Sequence, residues 1–230
     1  MRQTKDNLLR AMLWGSAFVS VAVLLTIVGY LFYKGFSYIS FDFIFGDYSP
    51  VGGGGIFPMI VTTIYTIIIS LIIATPIGIL AAVYLHEYAK QGRLVRIIRY
   101  ATESLTGIPS IIYGLFGAVF FVAILKLGMS IIAASLTLTI IVLPVIIRTT
   151  EEALKTVPAS YREGSLALGT TKLQTLYKVI LPSAMPGILS GIILSIGRIV
   201  GESAAIFLTA GTVAAMPESI FSSARTLTVH

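Results

Sequence analysis

Residues 60–85 read Ile-Val-Thr-Thr-Ile-Tyr-Thr-Ile-Ile-Ile-Ser-Leu-Ile-Ile-Ala-Thr-Pro-Ile-Gly-Ile-Leu-Ala-Ala-Val-Tyr-Leu and contain no charged side chain. About 20 apolar residues are enough for a helix to cross the roughly 30 Å hydrocarbon core of a bilayer. His86 and Glu87 close the run. Because a bilayer offers no water to unpaired backbone groups, the stretch predicts a membrane-spanning helix.

The composition of the whole chain agrees with this prediction. Of its 230 residues, 56% are apolar and 11% are charged, and the mean hydropathy is +0.94. Soluble domains are about 25% charged, so a soluble enzyme is excluded, as are collagen-like and disordered chains. There is no cysteine, which rules out disulfides and thiolate metal sites. We expect neither a catalytic residue nor a metal site in this chain.

Four more apolar runs are long enough to cross a membrane, which predicts an all-α, polytopic helix bundle of five spans. We expect prolines 76, 109 and 144 to kink or end helical turns. The spans predicted beside Ile60–Leu85 are Ala11–Phe32, Leu105–Leu127, Met129–Ile147 and Ile188–Leu208.

The basic residues predict how the bundle is oriented. Only Lys34, Lys126 and Arg225 lie on one side of these spans, and Arg198 lies within the last. Cytoplasmic loops carry the excess of Lys and Arg, so the amino terminus is expected in the cytoplasm of a multi-pass protein. The basic residues of the other side are Arg2, Lys5, Arg10, Lys90, Arg93, Arg96, Arg99, Arg148, Lys155, Arg162, Lys172 and Lys178.

Five spans leave the carboxyl end outside, and the tail from Gly211 to His230 is too polar to cross. We therefore expect a further span beyond His230. The predicted organisation is a cytoplasmic segment with the first span, an outer loop, a core that contains a cytoplasmic loop, and an outer segment. These are residues 1–33, 34–59, 60–210 with the loop at 148–182, and 211–230.

The outer loop contains the glycine run Gly52–Gly55. A nucleotide-binding loop also needs Gly-Lys-Ser or Gly-Lys-Thr, which this chain lacks, so we interpret the run as a flexible turn. Active transport by this chain would then need energy from a partner or an ion gradient.

The loop from Arg148 to Pro182 predicts two helices outside the membrane. Pro158 suits the first turn of a helix, and Gly169 stands where a C-cap glycine is typical. Thr170 or Thr171 can cap the second helix. Tyr161, Ser165 and Leu168 would share one weakly apolar face, which indicates either a docking surface or a hairpin resting on lipid headgroups.

The spacing within this loop favours docking. The sequence Glu163-Gly164-Ser165, three residues, Gly169, nine residues and Val179-Ile-Leu181-Pro182 resembles the EAA loop of ABC-importer permeases. In that pattern, Gly164 and Ser165 replace two alanines and Val179 replaces isoleucine. The resemblance implies a coupling helix that sits in a cleft of an ATPase, with Glu163 facing the ATPase and Gly169 making the turn.

Arg198 lies about ten residues into the predicted fifth span, about 15 Å deep. Such an arginine is costly in a membrane and marks a functional site or a structural pair. Glu202, one turn later, is expected to pair with it. The structural alternative is an ion pair that joins helices. The functional one is a substrate or gating site, since a guanidinium fork matches phosphate oxygens.

Small and hydroxyl side chains recur at four-residue spacing in three spans. Gly191 and Gly201 in the fifth span and Gly114 in the third predict close helix packing. Thr62 and Thr66 in the second span would line a polar path or form ordinary interhelical hydrogen bonds.

Two further stretches are similar to phosphate permeases of the PstA/PstC type: Glu103–Gly117, with Ile-Pro-Ser-Ile-Ile-Tyr-Gly at 108–114, and Gly197–Glu202. The shorter outer loop fits the PstA member. This resemblance implies six core spans, the type I permease fold and a subunit of a phosphate importer in the prokaryotic inner membrane. The implied partners are a homologous second permease, a cytoplasmic ATPase dimer and an outer phosphate-binding protein. ATP-Mg would bind in the ATPase, and this chain would bind no cofactor and no nucleic acid.

Two alternatives stay open at this point. One is an ABC permease for another substrate, such as molybdate, sulfate or an amino acid. The other is a gradient-driven carrier or channel that uses Arg198 and Glu202 as a charge relay.

Overall fold

The computed structural model describes residues 2–49, 54–90 and 92–230, and throughout these ranges the secondary structure is helical, with no strand. Gly52 and Gly53 of the glycine run lie outside the described residues. The chain divides into two compact units, which meet in sequence between Gly55 and Ile56.

The first unit contains one long helix, α1, from Arg2 to Gly35. Its apolar side chains are exposed all around within the structure, Trp14 and Phe18 among them. A helix that is apolar on every side is typical of a membrane span. A short 3-10 turn, Phe36–Tyr38, and helix α2, Phe41–Phe45, follow, and the Ser40 hydroxyl caps α2 by accepting from Phe43 N.

The second unit is a bundle around three long helices. Helix α3 runs from Phe57 to Val83 and continues as a π-helical turn, Tyr84–Tyr88. Helix α6 covers Ile131–Thr156 and packs against both α3 and α9, which covers Leu181–Val200. The buried core along α6 includes Leu138, Val142 and Ile146.

The shorter helices complete this unit. Helix α4 covers Arg93–Thr106, and α5 covers Ser110–Gly117 and continues as a π-helix, Ala118–Ile124. Helix α7 covers Ala159–Ala167, and α8 covers Lys172–Thr175, continuing through a π-helical turn, Leu176–Ile180, into α9. Helix α10 covers Ala204–Thr209.

Four helices in the described part of the chain are long and apolar enough to cross a membrane, or five if the bent pair α4 and α5 counts as one span. Each of the predicted spans overlaps one of these helices or the bent pair. The ranges are Leu9–Tyr38, Phe57–Tyr88, Ile131–Thr156 and Lys172–Val200, with Arg93–Thr106 plus Ser110–Ile124 as the bent pair.

Two predicted spans differ from the structure. The third was expected to begin at Leu105, but Leu105 lies in α4, and α5 turns away by 98°. Gly107 and Pro109 separate the two helices, because the residue before a proline avoids the helical conformation. The fifth was expected as one helix over Ile188–Leu208, whereas α9 begins at Leu181 and ends at Val200.

The residues from Gly211 to His230 fold back onto the helices of the second unit, to which they belong. Ser222 and Ile220 accept, through their carbonyls, hydrogen bonds from the first backbone amides of α6 (3.1 and 2.9 Å). These are amides that a helix cannot satisfy internally. We call the side of the bundle that carries α7 the coupling end.

Candidate functional site

The coupling end carries a tight turn between α7 and α8. Gly169 has a φ of +83°, a left-handed conformation that costs a side-chain-bearing residue roughly 1–2 kcal/mol. After it, Thr171 and Gln174 form a capping box: Gln174 N donates to the Thr171 hydroxyl (3.2 Å), and Thr171 N donates to Gln174 Oε1 (2.9 Å). The turn is therefore closed by local chemistry that is visible in the sequence.

Three hydroxyl groups hold the two arms of this turn together. Ser165, Thr170 and Thr175 lie within 2.8–3.0 Å of one another. Thr170 also donates to the Ser165 carbonyl, at 2.8 Å. Ser165 thus points into the turn and not outwards, so it does not share an outer face with Tyr161 and Leu168 as the spacing had suggested.

Polar and apolar contacts attach the turn to the bundle. Arg162 Nη2 donates to Glu87 Oε1 at the end of α3, and His86 Nδ1 lies 3.0 Å from the same oxygen. Leu176 and Ile180 are buried against Val83 of α3 and Leu154 of α6. The turn is therefore attached to the helical segment that begins with α3, through Arg162, and to α3 and α6, through Leu176 and Ile180.

The outward side of α7 and the turn is open. Leu168 is 86% exposed and Tyr161 is 52% exposed, Glu163 is exposed, and nothing lies within 4 Å of a methyl group added at Gly164. Leu181 and Pro182, the last residues of the predicted pattern, form the first turn of α9. The second predicted helix is therefore continuous with α9 and not separate from it.

A second candidate site is the break between α9 and α10, at residues 201–203. On α9 before the break, Gly191 packs against Thr149 of α6, and after the break Thr209 of α10 lies beside Gly117, which packs against Thr137 of α6; Thr137 and Thr149 enclose the middle of the 26 residues of α6. The break therefore falls near the middle of the bundle. Non-helical backbone at that depth is tolerated only where it is buried in protein or lines a water-filled cavity.

The two predicted charges lie on either side of this break. Arg198 is half-buried in the last turn of α9, and Glu202 is buried beyond its end. Glu202 Oε1 accepts from Ala205 N (3.2 Å), and the Glu202 carbonyl accepts from the Thr228 hydroxyl (2.8 Å). The expected Arg198–Glu202 ion pair is wrong: within the described residues Arg198 belongs to no salt bridge, because the helix ends before Glu202 reaches its face.

A cavity of about 410 Å³ lies beside the break. It is mostly apolar, and its polar groups come from the break and from the tail. It is lined by Ile111, Ser203, Ala204, Phe207, Leu208, Thr228 and Val229.

Thr62 and Thr66 lie away from this cavity. Both side chains are buried and donate to carbonyls of their own helix, Pro58 (2.9 Å) and Thr63 (2.8 Å). Neither lines an open path in this structure. The interhelical bond of that row comes from Ser70, whose hydroxyl donates to the Ser135 carbonyl at 3.1 Å.

The predicted packing glycines divide into two kinds. A methyl group added at Gly114 would lie 2.8 Å from Ala205 Cα, and one at Gly191 would lie 2.8 Å from Thr149 Cβ. These two positions therefore need glycine for close helix approach. Gly201 does not: it is exposed at the break and meets only carbonyls of its own preceding turn.

The sequence reading missed a charged cluster at the coupling end. Arg99 donates to buried Glu151 through Nε (2.9 Å) and Nη2 (2.7 Å). Arg148 donates to Glu103 (3.0 Å) and Glu152 (3.2 Å), so α4 is tied to α6. The Arg148–Glu152 pair at four-residue spacing was a visible signal, but the partners across the helices were not.

Comparison with known proteins places the chain in a family. Residues 74–229 match the model of the binding-protein-dependent transport system inner membrane component. The chain belongs to this family. The matched residues include the coupling turn, the α9–α10 break and the folded-back tail.

Relatives of this permease include phosphate permeases. It is 36% identical over 243 residues to the probable ABC transporter permease protein YqgI of Bacillus subtilis, covering all of this chain and 83% of that protein. It is 40% identical over 158 residues to PstA 1 of Mycobacterium tuberculosis, a phosphate transport system permease protein, covering 69% of this chain and 51% of that protein. The chain thus spans about half the length of that relative.

A solved structure supports the fold. The MetNI methionine ABC transporter, in an inward-facing conformation, matches with a TM-score of 0.54 and 28% identity, over 66% of this chain and 70% of that chain. The chain is therefore a PstA-like, multi-pass ABC permease subunit of the type I class in the inner membrane. An ATPase and a binding protein are the partners that this family implies.

Proposed function

We propose that this permease carries inorganic phosphate into the cytoplasm as one membrane subunit of an ATP-driven importer. The support comes from PstA relatives, including one from Pasteurella multocida that is 35% identical over 91% of this chain. A homologous second permease and an ATPase dimer complete the assembly, with a phosphate-binding protein outside. The chain itself catalyses no reaction, and ATP-Mg binds in the ATPase. The amino terminus lies in the cytoplasm, in keeping with the distribution of basic residues.

The observation that carries this proposal is the helix break that presents Arg198 near the middle of the bundle. A guanidinium offers paired donors that match the oxygens of phosphate. Glu202 is held by Ala205 N rather than by Arg198, so the arginine keeps donors for a passing anion. The negative Glu202 nearby weakens permanent retention, which suits release.

The coupling turn and this break are joined by one continuous element. Residues Lys172–Val200 form a 29-residue helical segment, about 43 Å long at 1.5 Å per residue. The segment starts at the capping box beside Gly169 and ends two residues after Arg198. Closure of the ATPase against α7 would therefore tilt the helical segment that carries Arg198 and change the access of phosphate to Arg198.

Uptake of radiolabelled phosphate by the complete importer in proteoliposomes tests the proposal. Uptake should require the ATPase and ATP, and Arg198→Lys should lower it about 10- to 100-fold, because a charge-assisted hydrogen bond contributes roughly 1.5–3 kcal/mol. Arg10→Lys, the same exchange at an exposed position, should keep uptake near the wild-type rate.

Two results would contradict the proposal. Phosphate uptake that persists without the ATPase and collapses with the proton gradient would indicate a secondary carrier. ATP-dependent uptake of methionine, sulfate or molybdate in place of phosphate would keep the ABC mechanism and reject the substrate. The match to the methionine transporter makes methionine the first competitor to test.

A further inference from the structure

Helix α4 has three distinct sides. One faces the bundle, where Val95 is buried and Thr102 and Thr106 are half-buried. Arg99 borders this side and donates to buried Glu151 on α6. The side chains of the remaining two sides are exposed.

The second side is an apolar stripe. Leu94 is 71% exposed, Ile97 is 62% exposed and Leu105 is 38% exposed. At 100° per residue these side chains, with Ile98 and Ala101, fall within an arc of about 100°. A contiguous exposed apolar surface of this kind marks contact with a membrane or with another protein.

The third side is a basic edge. Arg93 and Arg96 are exposed there, and Lys90 lies just before the helix. Tyr100, between Arg93 and Arg96 around the helix, is 73% exposed. Tyrosine is enriched where a protein crosses the membrane–water boundary.

The direction of α4 is the second, independent observation. The helix is bent by 98° relative to α5, the apolar helix that follows it. If α5 crosses the bilayer, α4 runs along its surface, over about 21 Å for 14 residues. It lies there at the coupling end, since Arg99 and Glu103 reach the last turns of α6.

We propose that α4 is an interfacial helix that binds anionic phospholipid at the coupling end. The apolar stripe enters the boundary between headgroups and acyl chains, and Arg93 and Arg96 take up lipid phosphates. An amphipathic helix with a basic edge is the form that binds in this way. Contact with lipid is favoured over contact with a protein because α4 runs along the membrane surface if α5 spans the bilayer, with the exposed Arg93 beside the apolar stripe.

Fluorescence quenching in the complete importer in lipid nanodiscs tests this site, which does not depend on the transported substrate. The only tryptophan, Trp14, is replaced by phenylalanine, and Ile97→Trp supplies the probe. Brominated lipid should quench this probe strongly. Ser160→Trp, exposed on α7, is the control that the lipid should leave unquenched.

The recognition of charge is tested with the same probe. At equal mole fraction, quenching by brominated phosphatidylglycerol should be several-fold stronger than quenching by brominated phosphatidylcholine, once the quenching expected from random lipid mixing is subtracted from both. The double change Arg93→Gln and Arg96→Gln should reduce that ratio towards one. Lys126→Gln, which removes one charge from an exposed turn elsewhere, should leave the ratio unchanged.

Each contrary result overturns the proposal. An unquenched probe at residue 97 would mean that protein covers the stripe. Strong quenching to the same extent by both lipids, before and after the arginine changes, would mean that the stripe inserts without recognition of anionic lipid. Neither quenching measurement depends on phosphate uptake, so a failure of the lipid-binding proposal is distinguishable from a failure of the proposed transport function.

Discussion

The close approach of α6 and α9 makes a sharp prediction at Gly191. An alanine there would place its Cβ 2.8 Å from Thr149 Cβ and in steric overlap with Thr149 Oγ1. Carbon atoms pack best at about 3.5–4.0 Å. Either the helices separate by about 1 Å or Thr149 changes rotamer.

Both responses cost free energy of folding. Separation weakens dispersion along the interface, and overpacking of this kind typically costs about 1–3 kcal/mol. Rotation of Thr149 would break its bond to the Val145 carbonyl (2.8 Å), which contributes about 0.5–1.5 kcal/mol. Alanine regains about 0.5–1 kcal/mol over glycine in a helix, so the net destabilisation by Gly191→Ala is about 1–2 kcal/mol.

Gly197→Ala is the matched control on the same helix. Nothing lies within 4 Å of a methyl group at Gly197, so only the helix-propensity gain applies. The two variants should therefore differ by about 2 kcal/mol, with opposite signs relative to the wild type. In thermal unfolding of the purified chain in one detergent, Gly191→Ala should melt several degrees below Gly197→Ala.

A double-mutant cycle identifies the cause. Thr149→Ala removes Oγ1 and Cγ2, so Gly191→Ala should cost less in that background, by at least about 0.5 kcal/mol. Equal melting temperatures for Gly191→Ala and Gly197→Ala would refute the packing argument. Additive effects of Gly191→Ala and Thr149→Ala would show that the cost arises elsewhere.

Two more predictions concern the coupling turn. Gly169→Ala, at a φ of +83°, should destabilise the turn by about 1–2 kcal/mol and reduce transport-coupled ATP hydrolysis. Gly164→Ala, at an open position, should leave that hydrolysis unchanged. Equal rates of ATP hydrolysis for the two variants would contradict the role of the turn. Glu87→Arg and Arg162→Glu should each lower phosphate uptake by the assembled importer, and the double exchange should restore much of it. If uptake by the double variant is no higher than uptake by either single variant, their ion pair does not attach α7.

The coupling turn was predictable because its signals are local. Pro158 directly precedes α7, Gly169 adopts the left-handed conformation and Thr171 caps α8, and each of these needs only neighbouring residues. The same holds for the apolar spans, whose length alone indicates a membrane. What the sequence did not reveal is that the second helix of the loop continues into the last span.

The break after Val200 was not predictable in this way. The apolar pattern resumes after Gly201-Glu202-Ser203, and there is no proline at residues 199–205. The break is stabilised by distant residues: Thr228, 26 positions later, donates to the Glu202 carbonyl. A periodicity argument that extends one helix through Arg198 and Glu202 therefore predicts an ion pair that the fold does not form.

Helix α4 was missed for a different reason. Its arginines were counted only as evidence of orientation, and its apolar residues were too few for a span. The amphipathic pattern emerges when both sets are placed on the same helix, where Leu94, Ile97 and Leu105 share one side, Arg93 lies at its border and Arg96 lies farther round the helix. The pattern was present in the sequence, but the reason for the exposure of that side is the 98° bend.

The contacts of α6 decide what moves when α7 is displaced. Breaking Arg99–Glu151 would leave buried Glu151 without that donor, at a cost on the order of 1–3 kcal/mol. The exposed Arg148 pairs add little. On its other side, α6 contributes Leu154 to the apolar cluster that includes Ile180. Separation of α6 from either neighbour is thus unfavourable, so α4 and α6 should move with the coupling turn, and the lipid surface under α4 should set the resistance to that movement.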